Sequence, residues 1–236
     1  MTSRVVHTVY GTDASLAVLK RQLLAIAHEL HAKGWVANHD GNVTARVHGD
    51  RLLATPTALS KRVLTEADLI VLDGDNKVVQ GGRKGFSELS LHRAVYKARP
   101  DVRAVVHTHS PNAVALAVLG QAVEPRLLAE PVVSLGLQVP LIPYGFPGGA
   151  DQTKQIEAAA ALHDALTLGN HGVLAWGDDL EQAYLRAELV EHLAAIQLKV
   201  LGVGPLRLIP EPDVERLLQA RHRAGLGPAA RAGKTP

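Results

Sequence analysis

No cysteine occurs anywhere in the 236 residues, which excludes disulfides, thiolate zinc sites and a cysteine nucleophile together. Any transition-metal site must then draw on imidazole and carboxylate, and 12 histidines are available for it. Aromatic residues are scarce, with two Trp, four Tyr and two Phe, too few for a base-stacking surface. The formal charge of +2 is too weak to argue for nucleic acid. Much of the basic excess lies in the closing RHRAGLGPAARAGKTP, which reads as a solvated, frayed tail. No apolar run approaches the roughly 18 residues a membrane span requires. The opening MTSRVVHTVYGTD lacks the charged-then-apolar order of a secretory signal. The expectation is a cytoplasmic protein with neither a nucleic-acid nor a membrane partner. No G-x-G-x-x-G lies between a strand and a helix, which argues against a dinucleotide fold.

What is present is one domain's worth of chain with 47% hydrophobic residues, enough for a substantial core. Leu16, Leu19, Leu23, Ile26, Ala27 and Leu30 recur at helical steps, so a helix is predicted over 13–33, stopped by Gly34. NVTARV and RLLATP around HGD, and DLIVLD and KVVQ around GDN, read as hairpins. A second helix is expected from a Ser87 cap to just before Pro100, followed by a buried strand AVVHTH. Ser110-Pro111 starts another helix. VPLIPYGFPGG holds one short strand at most, 151–166 is helix-like, GVLAWG is a strand, and a long helix covers 180–201. Early hairpins followed by strands interleaved with helices predict a mixed or largely antiparallel sheet covered by helices. The domain is expected to span 1–210, with a C-terminal helix and flexible basic tail over 211–236.

His107 and His109 stand two apart on a predicted strand, so their side chains leave the same face with Cα atoms roughly 6.5–7 Å apart. Two imidazoles at that separation are able to meet one ion, and they serve equally well as polar residues at a strand mouth. His171, between Asn170 and Gly172, lies on a turn that opens the strand GVLAW, where function often resides. Glu88, just after Ser87, has an ordinary reason to start a helix, since a carboxylate there gains about 0.3–1 kcal/mol from the dipole. It is equally suited to taking a proton from carbon beside a metal-polarised carbonyl. Asn42 beside Gly41, and Thr55-Pro56-Thr57, lie at hairpin ends where amides and hydroxyls hold anions or simply build turns. His92, four residues after Glu88, shares its helical face and reads as support for the site or for packing.

Taken in order, GWVANHDGNVTAR (34–46), ATPTALSKRVLTEADLIVLDGD (54–75), FSELSLHRAVYKARPDVRAVVHTHSPNAVALA (86–117) and NHGVLAWGDDLEQAYLRAELVE (170–191) resemble the class II aldolase/adducin superfamily, of the L-fuculose-1-phosphate aldolase kind. The pairing of SE and RPDV-x-AVVHTHSP with a later NHG carries the match. The resemblance implies a three-layer α/β/α architecture with a central, mainly antiparallel sheet, and a homotetramer with sites near subunit boundaries. It implies a divalent ion, zinc first and Mn2+, Co2+ or Fe2+ as alternatives, on His107, His109 and His171. It makes Glu88 the catalytic acid/base. Gly41, Asn42, Thr57, Ala58, Phe86 and Ser87 fall in the substrate pocket, which grips a phosphate in the aldolases.

The implied activity is a lyase step on a hydroxy-carbonyl or sugar-phosphate-like small molecule through a metal-stabilised enediolate. The alternatives are a decarboxylase or retro-aldol lyase for an unphosphorylated or aromatic hydroxy acid, a sugar-phosphate 4-epimerase, and a non-enzymatic adducin-like module. Three departures bear on the substrate. The usual P-S-S-E reads Gly85-Phe86-Ser87-Glu88, which replaces a phosphate-binding hydroxyl by a ring. T-P-[ST]-G reads Thr55-Pro56-Thr57-Ala58, which adds a methyl. No tyrosine follows Gly202.

Overall fold

Leu23, Ile26, Ala27 and Leu30 bury one face of the first helix, α1 (Leu16–Ala32). Gly34 takes the left-handed backbone, φ +71°, that ends it. The start of that predicted helix, 13–15, lies outside the residues described by this computed structural model, which are 16–146, 149–227 and 230. Both hairpins form as their turns predict, β1 (Asn42–Arg46) with β2 (Leu52–Ala54) and β3 (Ile70–Leu72) with β4 (Val78–Gln80). There follow α2 (Leu89–Ala98), β5 (Ala104–Thr108), α3 (Pro111–Val118), α4 (Ala129–Leu135), β6 (Leu141–Ile142) and α5 (Ala150–Leu162). The chain continues through β7 (Ala165–Leu168), β8 (Gly172–Gly177), α6 (Leu180–Leu201) and α7 (Glu211–Arg223).

These strands make one sheet in the order β4-β3-β2-β1-β5-β8-β7-β6. Every pairing is antiparallel except β6 with β7. Strand alternation divides the interior in two. Val43, Ala45, Val106, Val173 and Ala175 pack with α1, α3 and α6. Val105, Leu174 and Trp176 pack with α2 and α5 on the opposite face. The result is the expected α/β/α sandwich with a mainly antiparallel centre.

Four local expectations are corrected. Residues 165–166, expected to close the helix-like 151–166, instead open the strand 165–168, because ALTL is held between β6 and β8 and is fully buried, which overrides its helix propensity. The second helix begins at Leu89, and Ser87 does not cap it. Ser110 does not cap α3 either, since its hydroxyl lies 2.7 Å from Thr108 Oγ1. The carboxylate of Glu191 on α6 serves α3 instead, accepting from the backbone N–H groups of Asn112 (3.1 Å) and Ala113 (2.9 Å). At the closing segment, Arg221 is buried, not solvated. It donates to the carbonyls of Val133 and Ser134 and pairs with the fully buried Asp164 at 2.5 Å.

Candidate metal centre

The site lies where β1, β5 and β8 end side by side on the α2 face of the sheet. His107 is next to last on β5, buried between its cross-strand partners Asn42 of β1 and Leu174 of β8. Thr108 points to the other face, and His109 follows just beyond the strand, with its N–H donating to the Trp35 carbonyl at 2.9 Å. His171 arrives from the β7–β8 turn, which works because Asn170 adopts the left-handed conformation, φ 52°. Gly172 then lets β8 approach closely. A Cβ there would lie 2.2 Å from the Thr108 carbonyl oxygen, 3.0 Å from His107 Cε1 and 3.1 Å from His109 Cδ2.

The three predicted imidazoles and Glu88 therefore converge, each offering one ligand atom within 4.8 Å of the others. His171 Nε2 is 2.6 Å from Glu88 Oε1, and His107 Nε2 is 3.6 Å from Glu88 Oε2. The Nε2 atoms of His107 and His109 lie 3.1 Å apart. Their outer nitrogens are already engaged: His107 Nδ1 donates to the Val173 carbonyl at 2.8 Å, and His109 Nδ1 faces Asp40 Oδ2 at 3.4 Å. With the ring protons held outward, two lone pairs face each other across that short gap, an arrangement a shared cation relieves. Tetrahedral ligation at about 2.0–2.1 Å requires nitrogens roughly 3.3 Å apart, close to the spacing seen. The nitrogen and oxygen donor set suits a divalent transition metal.

The electrostatics agree with that fit. Burial, opposed by Glu88, pushes His107 down to about 3, so its imidazole is neutral, the form that binds metals. Burial and the neighbouring His171 also lower His109. Burial alone would raise the Glu88 carboxyl. The hydrogen bond with His171, the proximity of His107 and His171 and the amide of Asn42 reverse this and hold it well below the usual carboxylate range. Asn42 Nδ2 donates to Glu88 Oε2 at 2.8 Å.

The remaining predicted pocket residues divide. Thr57, Ala58 and Ser87 are exposed. The Thr57 N–H donates to the Lys84 carbonyl at 3.1 Å, which ties their two loops together. Ala58 sits at φ 56°, the conformation a glycine would take without strain. Gly41, at φ 67°, is buried, and a Cβ on it would meet Val36 Cγ1 at 2.4 Å and the His107 carbonyl oxygen at 2.9 Å. Phe86 is 9% exposed and packs edge-on against His92, ring centroids 5.2 Å apart, beside the α2–α5 core. Two site residues carry no role in the sequence reading. Asp40, inside N-H-D-G-N, faces His109. Lys61, 2% exposed, donates from Nζ to the His39 carbonyl at 2.7 Å.

Residues 21–198 match the family described as the Class II Aldolase and Adducin N-terminal domain. Among curated relatives, the chain is 31% identical to 5-deoxy-D-ribulose 1-phosphate aldolase of Bacillus thuringiensis serovar kurstaki, over 84% of this chain and 92% of the relative. It is 30% identical to L-fuculose phosphate aldolase of Escherichia coli K12, over 88% and 96%. A solved L-fuculose 1-phosphate aldolase superposes with a TM-score of 0.79 at 25% identity, covering 89% of this chain and 98% of the other. Among the described residues, no helix is long and apolar enough to cross a membrane.

Proposed function

Because the chain belongs to the Class II Aldolase and Adducin N-terminal domain family and is an aldolase-type lyase, we propose that it makes or breaks a carbon–carbon bond in a phosphorylated keto sugar, with His107, His109 and His171 as metal ligands and Glu88 as acid/base. The observation that carries this reading is the convergence of three imidazoles and one carboxylate within 4.8 Å. Three protein ligands leave a coordination position for substrate, as catalytic ions require. Zinc is the ion we favour, on the nitrogen-rich donor set. When bound, the ion supplies Lewis acidity to the substrate carbonyl.

The chain's own groups account for the proton. In the cleavage direction, the hydroxyl β to the carbonyl loses its proton, the bond between the α and β carbons breaks to release an aldehyde, and the α carbon is reprotonated. Glu88, ionised and anchored by Asn42, is placed to carry that proton. The exposed Thr57 and Ser87 hydroxyls, on two loops tied together by the hydrogen bond from Thr57 to Lys84, suit a phosphate. The relatives' names specify phosphorylated sugars, 5-deoxy-D-ribulose 1-phosphate and L-fuculose phosphate. We also favour a homotetramer, which matches the exposed Val118, Leu119 and Leu162. Light scattering would then return four times the 25.1 kDa chain mass.

The decisive experiment supplies zinc-loaded protein with 5-deoxyribulose 1-phosphate, fuculose 1-phosphate and their unphosphorylated counterparts, and follows aldehyde release. Cleavage of a phosphorylated substrate is expected, with loss after chelation and in Glu88→Gln. Turnover that survives either treatment would falsify the mechanism, and a preference for the unphosphorylated sugars would overturn the substrate class.

A further inference from the structure

Behind Glu88 lies a run of buried polar groups in which every proton has one consistent place. Asn42 Nδ2 donates to Glu88 Oε2 at 2.8 Å, so the amide oxygen faces inward, 2.6 Å from His92 Nε2. An amide oxygen only accepts, so His92 carries its proton on Nε2. Its Nδ1 is then bare and accepts from the Thr44 hydroxyl at 2.8 Å. That spends the single Thr44 proton. The Tyr96 hydroxyl therefore donates, lying 2.9 Å from Thr44 Oγ1 and 3.2 Å from the Thr44 carbonyl oxygen, and the run ends on the main chain. Asn42, Thr44, His92 and Tyr96 are 4%, 0%, 0% and 5% exposed. No bulk water reaches them to repair a broken link.

The opposite amide orientation would aim the Asn42 oxygen at the Glu88 carboxylate and, with His92 in this tautomer, its NH2 at the His92 N–H. A buried polar group left without a partner costs about 1–3 kcal/mol, more beside a charge. We propose that His92, protonated on Nε2 and accepting from the Thr44 hydroxyl at Nδ1, is a positioning residue that latches the Asn42 amide toward Glu88 and so gives the acid/base one orientation beside the metal centre. This rests on Glu88 acting as the acid/base. The run is a latch and not a proton wire, because burial keeps His92 neutral, with its pKa pushed down to about 3.

Thr44→Val tests it, because valine keeps the shape and deletes only the hydroxyl, while Tyr96 retains the carbonyl at residue 44. Freed from Thr44, His92 is expected to populate its other tautomer and the amide to turn. In zinc-loaded protein kcat should fall about tenfold, the worth of one buried hydrogen bond, with KM within about twofold. Thr44→Ser should restore kcat. Nitrogen-15 NMR of the zinc-loaded wild type should show His92 protonated at Nε2 and bare at Nδ1, with both forms present in Thr44→Val. An unchanged kcat in Thr44→Val, or a wild-type proton on Nδ1, overturns the latch. Glu88→Gln separates the two readings. If that variant stays active, the acid/base assignment falls, and the NMR spectrum alone then decides the latch.

Discussion

Asn42 and His107 stand opposite each other in the antiparallel pairing of β1 with β5, so the amide that grips Glu88 and a candidate metal ligand share one rung of the sheet. Their relative placement is set by strand register, the most rigid geometry the fold offers. A one-residue slip would turn both side chains into the opposite core. The neighbouring strand is constrained as tightly, which leads to the first prediction.

Gly172→Ala should damage the centre more than its size suggests. The added methyl would meet a backbone carbonyl at 2.2 Å and two ligand rings at about 3 Å. Backbone cannot step aside cheaply, so a loss of roughly 1–3 kcal/mol is expected, together with lowered zinc content. Gly85→Ala, whose Cβ would meet only Leu72 Cδ2 at 3.5 Å, is the control. Thermal melting and elemental analysis on both variants check this, and a zinc-replete, fully stable Gly172→Ala would contradict it.

Asp40→Asn should weaken metal binding by roughly 10–100-fold while leaving the fold intact, as expected for the partner of a ligating imidazole. The carboxylate faces His109 Nδ1 from a partly exposed position, so its loss removes orientation and not core packing. Competition with a chelator of known affinity measures the change. An unaltered zinc affinity would show that Asp40 does not orient the ring.

Acid should destabilise the metal-free protein from about pH 6.5 downward. His92 and His107 are both pushed from 6.5 to about 3 by burial. Between those values the unfolded chain binds protons the folded chain refuses, so stability falls as pH drops. The slope should approach about 1.4 kcal/mol per pH unit for each imidazole. Denaturant unfolding of chelated protein at pH 7, 6 and 5 gives the answer. A flat profile would mean the rings are already solvated.

Lys61 predicts the reverse end of the scale. Burial, opposed by Asp40 and Glu88, lowers its ammonium from 10.5 to about 8. Above pH 8 the unfolded chain holds the extra proton, so stability contributed through this group rises between about 8 and 10.5. Lys61→Met should abolish that rise. It should also release the His39 carbonyl and with it the loop bearing Asp40. Unfolding at pH 8 and pH 10 compares the two proteins, and an identical rise in both would exclude the residue.

Elements whose signals are local were legible in the sequence. The long helix runs from Leu180 to Leu201 as its spacing and Gly202 predict, and both hairpins follow their turn residues. The candidate ligands were named through the family resemblance, since two imidazoles at strand spacing and one on a turn left the structural reading equally open. What escaped depends on partners distant in the chain. Lys61 sits between Ser60 and Arg62 and reads as surface until it meets residue 39. Ser110 looks like a cap until Glu191, 79 residues later than Asn112, takes the job. Phe86 follows a glycine in a loop, and only the packing of α2 reveals that its ring turns inward onto His92. The strand β7 carries Ala and Leu, and its pairing with both neighbours decides its state.

Asp164 has a consequence for anyone shortening this protein. One dehydrated carboxylate meets guanidinium groups from three places, Arg99 at the end of α2, Arg186 on α6 and Arg221 on α7, at 3.2, 3.4 and 2.5 Å. Trimming the chain at residue 210 would take away one of those cations and uncover α4, against which α7 rests. Through Arg221, α7 thus braces both α4 and the residue that leads into β7, although it lies 47 residues beyond that carboxylate in the chain.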